Sequence, residues 1–120
     1  MTDVIDVNQI KEILEDFAGR RDWNKFHNPK NLAMALAGEA GELLEIFQWL
    51  SETDAATAGD VAEIKENTSL ELADILLYAI RLAARLNINL SDAIQRKIII
   101  NNEKYPVEKV KGSAKKYREY

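Results

Sequence analysis

The sequence predicts an all-α protein built as a bundle of four helices, and three observations support this fold class. Apolar residues recur at helical spacing in several stretches, which is the pattern of amphipathic helices. Residues that commonly open helices stand before these stretches. One stretch, residues 70–86, is largely apolar on nearly every side apart from its acids and two arginines, as in a buried helix.

The first two helices follow from apolar spacing and from a cap. The first is predicted over residues 8–21, where apolar residues share one helix face: Val7, Ile10, Ile13, Leu14 and Phe17. The second is predicted over residues 29–50, because Asn28 can cap a helix and Pro29 fits its first turn. Residues 51–59 lack an apolar period and are predicted to form a loop.

The third helix is predicted over residues 60–86, with Asp60 and Glu63 as a capping box. Thr68 and Glu71 could form a second box, which would break the helix near residue 67. We favour a continuous helix, because the Glu71 side chain then stays free to bind a metal ion.

The fourth helix is predicted over residues 91–105, from Ser91 as its cap to Pro106. Four helices in so short a chain can hardly surround the apolar third helix, and isoleucines at 98–100 add further apolar surface. We therefore expect an obligate homo-oligomer with a helical interface. The assembly that we expect is a tetramer built as a dimer of dimers.

Composition narrows the class of protein. With 120 residues, 47% of them hydrophobic, we expect one domain over residues 1–120, with a basic tail at 106–120 that is either solvated or approaches a polyphosphate or a neighbouring subunit. The absence of cysteine excludes disulfides and thiolate metal sites. The charged N-terminal stretch excludes a signal peptide or membrane span, so we expect a cytoplasmic protein. A net charge of -4 argues against nucleic-acid binding.

Two carboxylate pairs lie in otherwise apolar helical stretches, Glu39 with Glu42 and Glu71 with Asp74. Residues three apart on an α-helix lie about 60° apart around the axis and about 4.5 Å along it, so each pair points the same way. Burial and mutual repulsion both disfavour ionised carboxylates, and a bound cation relieves both. The sequence therefore predicts a metal site.

The ligand set indicates which metal and which chemistry. Four carboxylates suit Mg²⁺, with Mn²⁺ as a substitute, better than zinc or copper. Such ions keep open positions for water and phosphate oxygens, which favours phosphoryl chemistry. A di-iron site would need Glu-x-x-His on two helices, whereas the single histidine, His27, has no glutamate three residues before it.

The ordered series of motifs resembles the MazG-like, all-α nucleoside triphosphate pyrophosphohydrolases, and most of all their dCTP-directed branch. It begins with E-x-x-E at Glu39 and Glu42, followed by E-x-x-D at Glu71 and Asp74. Further matching segments cover nearly the whole chain: Arg21-Asp22-Trp23, Phe26-His27, Pro29-Lys30-Asn31-Leu32, Gly41-Glu42-Leu43, Phe47-Gln48-Trp49, Tyr78, Asn101, Tyr105-Pro106, Gly112-Ser113-Ala114 and Lys116-Tyr117.

The resemblance implies a reaction and assigns residues to it. Water would attack the α-phosphorus of a nucleoside triphosphate, with release of a nucleoside monophosphate and pyrophosphate, in a house-cleaning role on pyrimidine deoxynucleotides such as dCTP. The metal ligands would be the acids of the two motifs, Glu39, Glu42, Glu71 and Asp74. Glu45 is either the residue that activates the water or an exposed helix glutamate. The pyrimidine would contact aromatic and polar residues: Trp23, His27, Trp49, Tyr78, Asn101 and Tyr105.

The β and γ phosphates are assigned to Lys97, which lies one helical turn before Asn101 and should share its face.

Two other interpretations of the function stay open. The chain could be a non-catalytic helical interaction module, or a magnesium enzyme that hydrolyses a different pyrophosphate such as phosphoribosyl-ATP. Replacing Trp49, Tyr78 or His27 would raise KM for pyrimidine nucleotides under our interpretation, but would change only stability in an interaction module.

Overall fold

The computed structural model describes residues 3–114, and within that range the protein is helical, with no strand. Its elements are α1 Val7–Arg20, α2 Pro29–Phe47, α3 Glu52–Ala56, a 3-10 helix Ala58–Asp60, α4 Ala62–Arg85, α5 Leu90–Lys104 and α6 Val107–Val110. The all-α prediction is confirmed. The four long helices match the four predicted ones, but the predicted count omits α3 and α6, which are too short to show an apolar period.

Side-chain caps explain where α1 and α2 begin. The Asp6 carboxylate accepts a hydrogen bond from the N–H three residues later at 3.0 Å, and the Asn28 side chain accepts one in the same way at 2.9 Å. Pro29 occupies the first turn of α2, so the predicted Asn-Pro start is confirmed. α2 ends at Phe47, before the predicted residue 50, because residues 48–50 form a turn.

The loop predicted over residues 51–59 is wrong, because this segment contains α3 and most of the 3-10 helix. Ser51 Oγ accepts a hydrogen bond from the Asp54 N–H at 3.1 Å. Glu52 and Asp54 also place negative charge in the first turn, where it interacts favourably with the helix dipole. These local polar interactions start a short helix without any apolar period.

The predicted starts of α4 and α5 are also wrong in detail. Asp60 lies in the 3-10 helix, so α4 begins two residues later and has no side-chain cap. α4 then continues without a break past residue 67, as predicted. α5 is capped by Asn89, whose side chain accepts a hydrogen bond at 3.0 Å, and the predicted cap, Ser91, lies inside the helix.

Two compact units divide after Ile88. The first contains α1 to α4, and within it α2 makes its most extensive contact with α4, which α1 also contacts. The buried apolar side chains of this unit are few and mostly small: Ala18, Leu32, Ala58, Ile80 and Ala83. α4 is therefore the central helix of the first unit. The second unit contains α5 and α6.

The single chain leaves much apolar surface exposed on α4 and α5. Leu70 is 58% exposed and Leu76 49%, while Ile98 and Ile99 on α5 are 56% and 59% exposed. One chain therefore does not bury α4 on nearly all sides, and the expected oligomer stays a prediction. Among the described helices, none has both the length and the apolar character needed to cross a membrane.

Candidate active site

Three of the predicted acids meet between α2 and α4. Glu39 and Glu42 on α2 and Glu71 on α4 each offer a carboxylate oxygen, and these oxygens lie within 4.8 Å of one another. Asp74, one turn after Glu71, lies near enough for its charge to raise the pKa of both Glu39 and Glu71. We call Glu39, Glu42, Glu71 and Asp74 the acidic cluster.

The antiparallel course of α2 and α4 brings the two motifs together. Glu39 shares a cleft with Asp74, whereas Glu42, further along α2, shares a smaller cavity with Glu71 and Asn67, which come earlier on α4. The chain direction of α2 is thus opposite to that of α4. Because each acidic pair has a spacing of three residues, both members of a pair lie on the same side of their helix.

Crowding of like charges opposes ionisation in the acidic cluster. A hydrogen bond with Glu71 is the largest cause that raises the pKa of Glu39 to about 7, followed by burial and by Glu42. The same hydrogen bond lowers the pKa of Glu71, but burial and the charges of Glu42 and Asp74 outweigh it, so the pKa of Glu71 is also raised. The cluster therefore resists full ionisation unless a positive charge joins it.

The acidic cluster has the chemistry of a site for a hard cation. One oxygen of Glu39 and one of Glu71, Oε2 in each, is buried and has no hydrogen-bond partner among the described residues. Buried polar atoms are normally paired, and a divalent cation would satisfy both oxygens while it reduces the repulsion. An all-oxygen donor set is the one that Mg²⁺ and Mn²⁺ prefer. The residues present therefore fit the predicted metal.

A cleft of about 580 Å³ opens beside Glu39 and Asp74. Its other walls come from α1, from the connection between α1 and α2, and from α4: Ile10, Ile13, Leu14, Phe17, Trp23, His27, Leu77, Tyr78 and Arg81. A mainly apolar cleft with a few polar groups is typical of a small-molecule site. The structure thus brings three of the predicted substrate-binding residues, Trp23, His27 and Tyr78, to a cleft that borders the acidic cluster.

A network of polar groups, of which His27 and Arg81 line the cleft, connects α4 to the α1–α2 connection. Arg81 donates hydrogen bonds to His27 Nδ1 at 3.2 Å and to Asn24 Oδ1 at 2.7 Å. Arg85, one turn later, donates to the His27 main-chain carbonyl at 3.1 Å. Burial, and then the charges of Arg81 and Arg85, lower the pKa of His27. These effects favour the neutral form of the imidazole.

Glu45 lies in the smaller cavity, of about 340 Å³, which Glu42 and Glu71 also line. The structure thus places this carboxylate next to two members of the acidic cluster. It remains exposed, as its alternative interpretation requires. Its role in activating water stays a prediction.

The remaining predicted substrate contacts are Trp49 and three residues of the second unit. Trp49 follows α2, is 87% exposed and lines neither of the two cavities. Lys97 and Asn101 are exposed on α5, and Tyr105 is the residue that ends it, so all three belong to the second unit. Their roles stay predictions. Residues 115–120 of the basic tail lie outside the described residues.

The sequence analysis missed the part that α1 and Arg81 play in the cleft. The apolar period of α1 predicts an amphipathic helix, but a period does not distinguish a core face from a pocket wall. Ile13 and Phe17 are in fact 58% and 43% exposed, and both line the cleft. For Arg81 the available signal is an arginine in an apolar helix, because such a cation needs partners if it is buried.

Comparisons of this chain with protein families, with related sequences and with solved structures agree with one another. A sequence model of the MazG-like family matches residues 35–120. The chain is 40% identical over 111 residues to mouse dCTP pyrophosphatase 1, a match that covers 92% of this chain and 65% of the mouse protein. The rat protein of the same name is 43% identical over 113 residues, with the same coverage. The chain thus spans a little less than two thirds of the length of these relatives.

A solved structure is also similar. The crystal structure of a pyrophosphatase from Archaeoglobus fulgidus superposes with a TM-score of 0.77 at 36% sequence identity. The match covers 88% of this chain and 97% of the archaeal one. The similarity therefore extends over nearly all of that protein.

Proposed function

Because the chain belongs to the MazG-like family, we propose that it is a Mg²⁺-dependent hydrolase that converts a nucleoside triphosphate and water to the monophosphate and pyrophosphate. One observation carries this proposal. An acidic cluster that holds two buried, unpartnered carboxylate oxygens borders a mainly apolar cleft of about 580 Å³. The first feature suits a metal–triphosphate group and the second a nucleoside, and the two are adjacent as the substrate requires.

The residues of the chain account for the proposed step. Glu39, Glu42, Glu71 and Asp74 would hold the cation, which supplies neutralising charge for the triphosphate. The water oxygen forms a bond to the α-phosphorus, and the bond from that phosphorus to the α–β bridging oxygen breaks. The electron pair of that bond leaves with pyrophosphate. We assign to Glu45 the acceptance of the water proton, since it lines the smaller cavity beside two of the metal ligands.

We assign the cleft to the base and sugar, with a preference for pyrimidine deoxynucleotides such as dCTP. Trp23 and Tyr78 offer flat faces on which a base can stack, and His27 offers a polar edge. The names of the mouse and rat relatives support dCTP as the substrate. Such an enzyme would clear surplus or modified nucleotides from the cytoplasmic pool before a polymerase uses them.

We also propose that the protein acts as a homo-oligomer, a tetramer built as a dimer of dimers. The exposed apolar residues of α4 and α5 support this, because water-exposed apolar surface of this kind is usually covered in an assembly. An exposed Trp49 or Lys97 could then contact substrate bound by a neighbouring chain. Sedimentation at micromolar concentration tests the assembly, and a stable, well-folded monomer would contradict it.

Turnover of a nucleotide panel tests the proposed reaction. The intact protein is incubated with dCTP, dTTP, dUTP and dATP in the presence of Mg²⁺, and pyrophosphate and orthophosphate are measured separately. We expect pyrophosphate as the inorganic product and the highest turnover with a pyrimidine. The double variant Glu42→Gln, Asp74→Asn should be inactive, whereas Glu12→Gln, on an exposed position of α1 outside the cleft lining, should keep activity. Activity that survives the double substitution contradicts the proposed site.

A further inference from the structure

Arg81 is a nearly fully buried cation in the wall of the cleft, with 4% of its surface exposed. Its Nε bonds to His27 and its Nη2 to Asn24. The third nitrogen, Nη1, is buried and has no partner among the described residues. A buried donor without a partner is costly, particularly on a charged group. The cleft wall beside His27 therefore favours an incoming hydrogen-bond acceptor.

The hydrogen bond from Arg81 determines which nitrogen of His27 carries the proton. A guanidinium group has only donors and stays protonated, so His27 Nδ1 must accept this bond and cannot carry a hydrogen. In a neutral imidazole the proton then lies on Nε2. Trp23 packs edge-on against the ring, with centroids 6.1 Å apart. His27 thus offers the cleft an Nε2–H donor.

On the premise of the proposed function, we propose that Arg81 determines base specificity: it positions His27 as an Nε2–H donor, and with its own Nη1 it selects a base edge that has two adjacent acceptors. Cytosine has such an edge, because O2 lies next to an unprotonated N3. Uracil and thymine carry a proton on N3, which would face a donor. A polar site rejects an analogue strongly when the analogue leaves one of its groups unpaired.

The tautomer can be measured on the unmodified protein, because His27 is the only histidine of the chain. A long-range proton–nitrogen correlation spectrum of the nitrogen-15-labelled protein near neutral pH reads both ring nitrogens. We expect an unprotonated Nδ1 and a protonated Nε2, and we expect cytidine monophosphate to shift the Nε2 resonance more than uridine monophosphate does. A protonated Nδ1, a cationic ring or equal shifts would overturn the proposal.

The preference itself is measured as the ratio of kcat/KM for dCTP to that for dUTP. Arg81→Lys keeps a positive charge but loses the planar group that contacts both neighbours, so the ratio should fall about tenfold, chiefly through a higher KM for dCTP. Arg20→Lys is the matched control, since Arg20 is an exposed arginine of α1 that pairs with Asp16 and does not line the cleft. Its ratio should equal that of the wild type.

The outcomes separate the two proposals. An unchanged ratio in Arg81→Lys, or an equal loss for both nucleotides, overturns the role of Arg81 while the proposed hydrolysis stands. If the wild type hydrolyses neither nucleotide, the proposed function fails first. Should Arg81→Lys not fold, as judged by circular dichroism, the spectrum of the wild type with the two monophosphates decides the question.

Discussion

The acidic cluster and the His27–Arg81 network lie in the same unit, yet their charged groups have opposite kinds of surroundings. In the cluster, like charges crowd together and two buried oxygens lack partners. In the network, one buried cation is paired with neutral acceptors from another segment of the chain. The cluster is thus incomplete until a cation joins it, whereas most of the network is formed in advance. A site for an ion can rely on that ion for its stability, but a site that selects a base must be preorganised.

The largest expected effect comes from removing one acid of the cluster. Glu71→Gln should lower kcat/KM by at least about 100-fold. Replacing a residue that only supports a metal ligand already lowers activity or metal affinity roughly 10- to 100-fold. The melting temperature of the metal-free protein should not fall, since the substitution relieves repulsion with Glu42 and Asp74. Kinetics and thermal melts measure both. A destabilised variant with unchanged activity would show that the cluster is structural.

Mg²⁺ should stabilise the cluster but leave the network unaffected. At a concentration of 100 times its Kd, a ligand that binds only the folded state adds about 2.7 kcal/mol to the free energy of unfolding. Denaturant titrations with and without Mg²⁺ measure this, with NaCl of equal ionic strength as the control. Glu71→Gln should lose most of the gain, and Arg81→Lys should keep it. If both variants kept, or both lost, the stabilisation by Mg²⁺, the result would contradict binding of the ion at the acidic cluster alone.

The network should contribute to stability without any ligand. Asn24→Ala leaves Arg81 Nη2 without its 2.7 Å partner, so the free energy of unfolding should fall by about 1–3 kcal/mol. Chemical denaturation provides the measurement. Gln95→Ala, at an exposed position of α5, serves as the control and should change stability by less than about 0.5 kcal/mol. The affinity for Mg²⁺, from calorimetry, should be the same in Asn24→Ala as in the wild type.

The smallest expected effect is a pH dependence of the metal-free protein. The pKa of Glu39 is raised from its ordinary value of 4.5 to about 7. Folding therefore favours its protonated form, so this contribution to stability is complete below pH 4.5 and is lost as the pH rises through about 7. The difference in melting temperature between wild type and Glu39→Gln isolates it. A difference that does not change across this range would contradict the raised pKa.

The acidic cluster could be predicted from the sequence because its information is local. A spacing of three residues places Glu39 with Glu42, and Glu71 with Asp74, on common helix faces whatever the tertiary fold. The match to the MazG-like family then confirms the resemblance that these motifs suggest. The position of Glu45 near the cluster follows from the same helix periodicity.

Helix boundaries were less predictable, since several caps competed within a few residues. Asn89 rather than Ser91 starts α5, and Ser51 starts a helix where the lack of an apolar period indicates a loop. Each cap contributes only about 1 kcal/mol, so the surrounding structure decides between neighbouring candidates.

The sequence alone determined the helical class, the long helices and the two acidic faces, because these depend on residues within one or two turns of each other. Only the tertiary structure decided that α1 lines the cleft and that Arg81 reaches His27 and Asn24. Those contacts join residues 54 and 57 positions apart. A helical period cannot predict contacts between residues so far apart in the sequence, because these contacts depend on how α1 and the connection to α2 pack against α4.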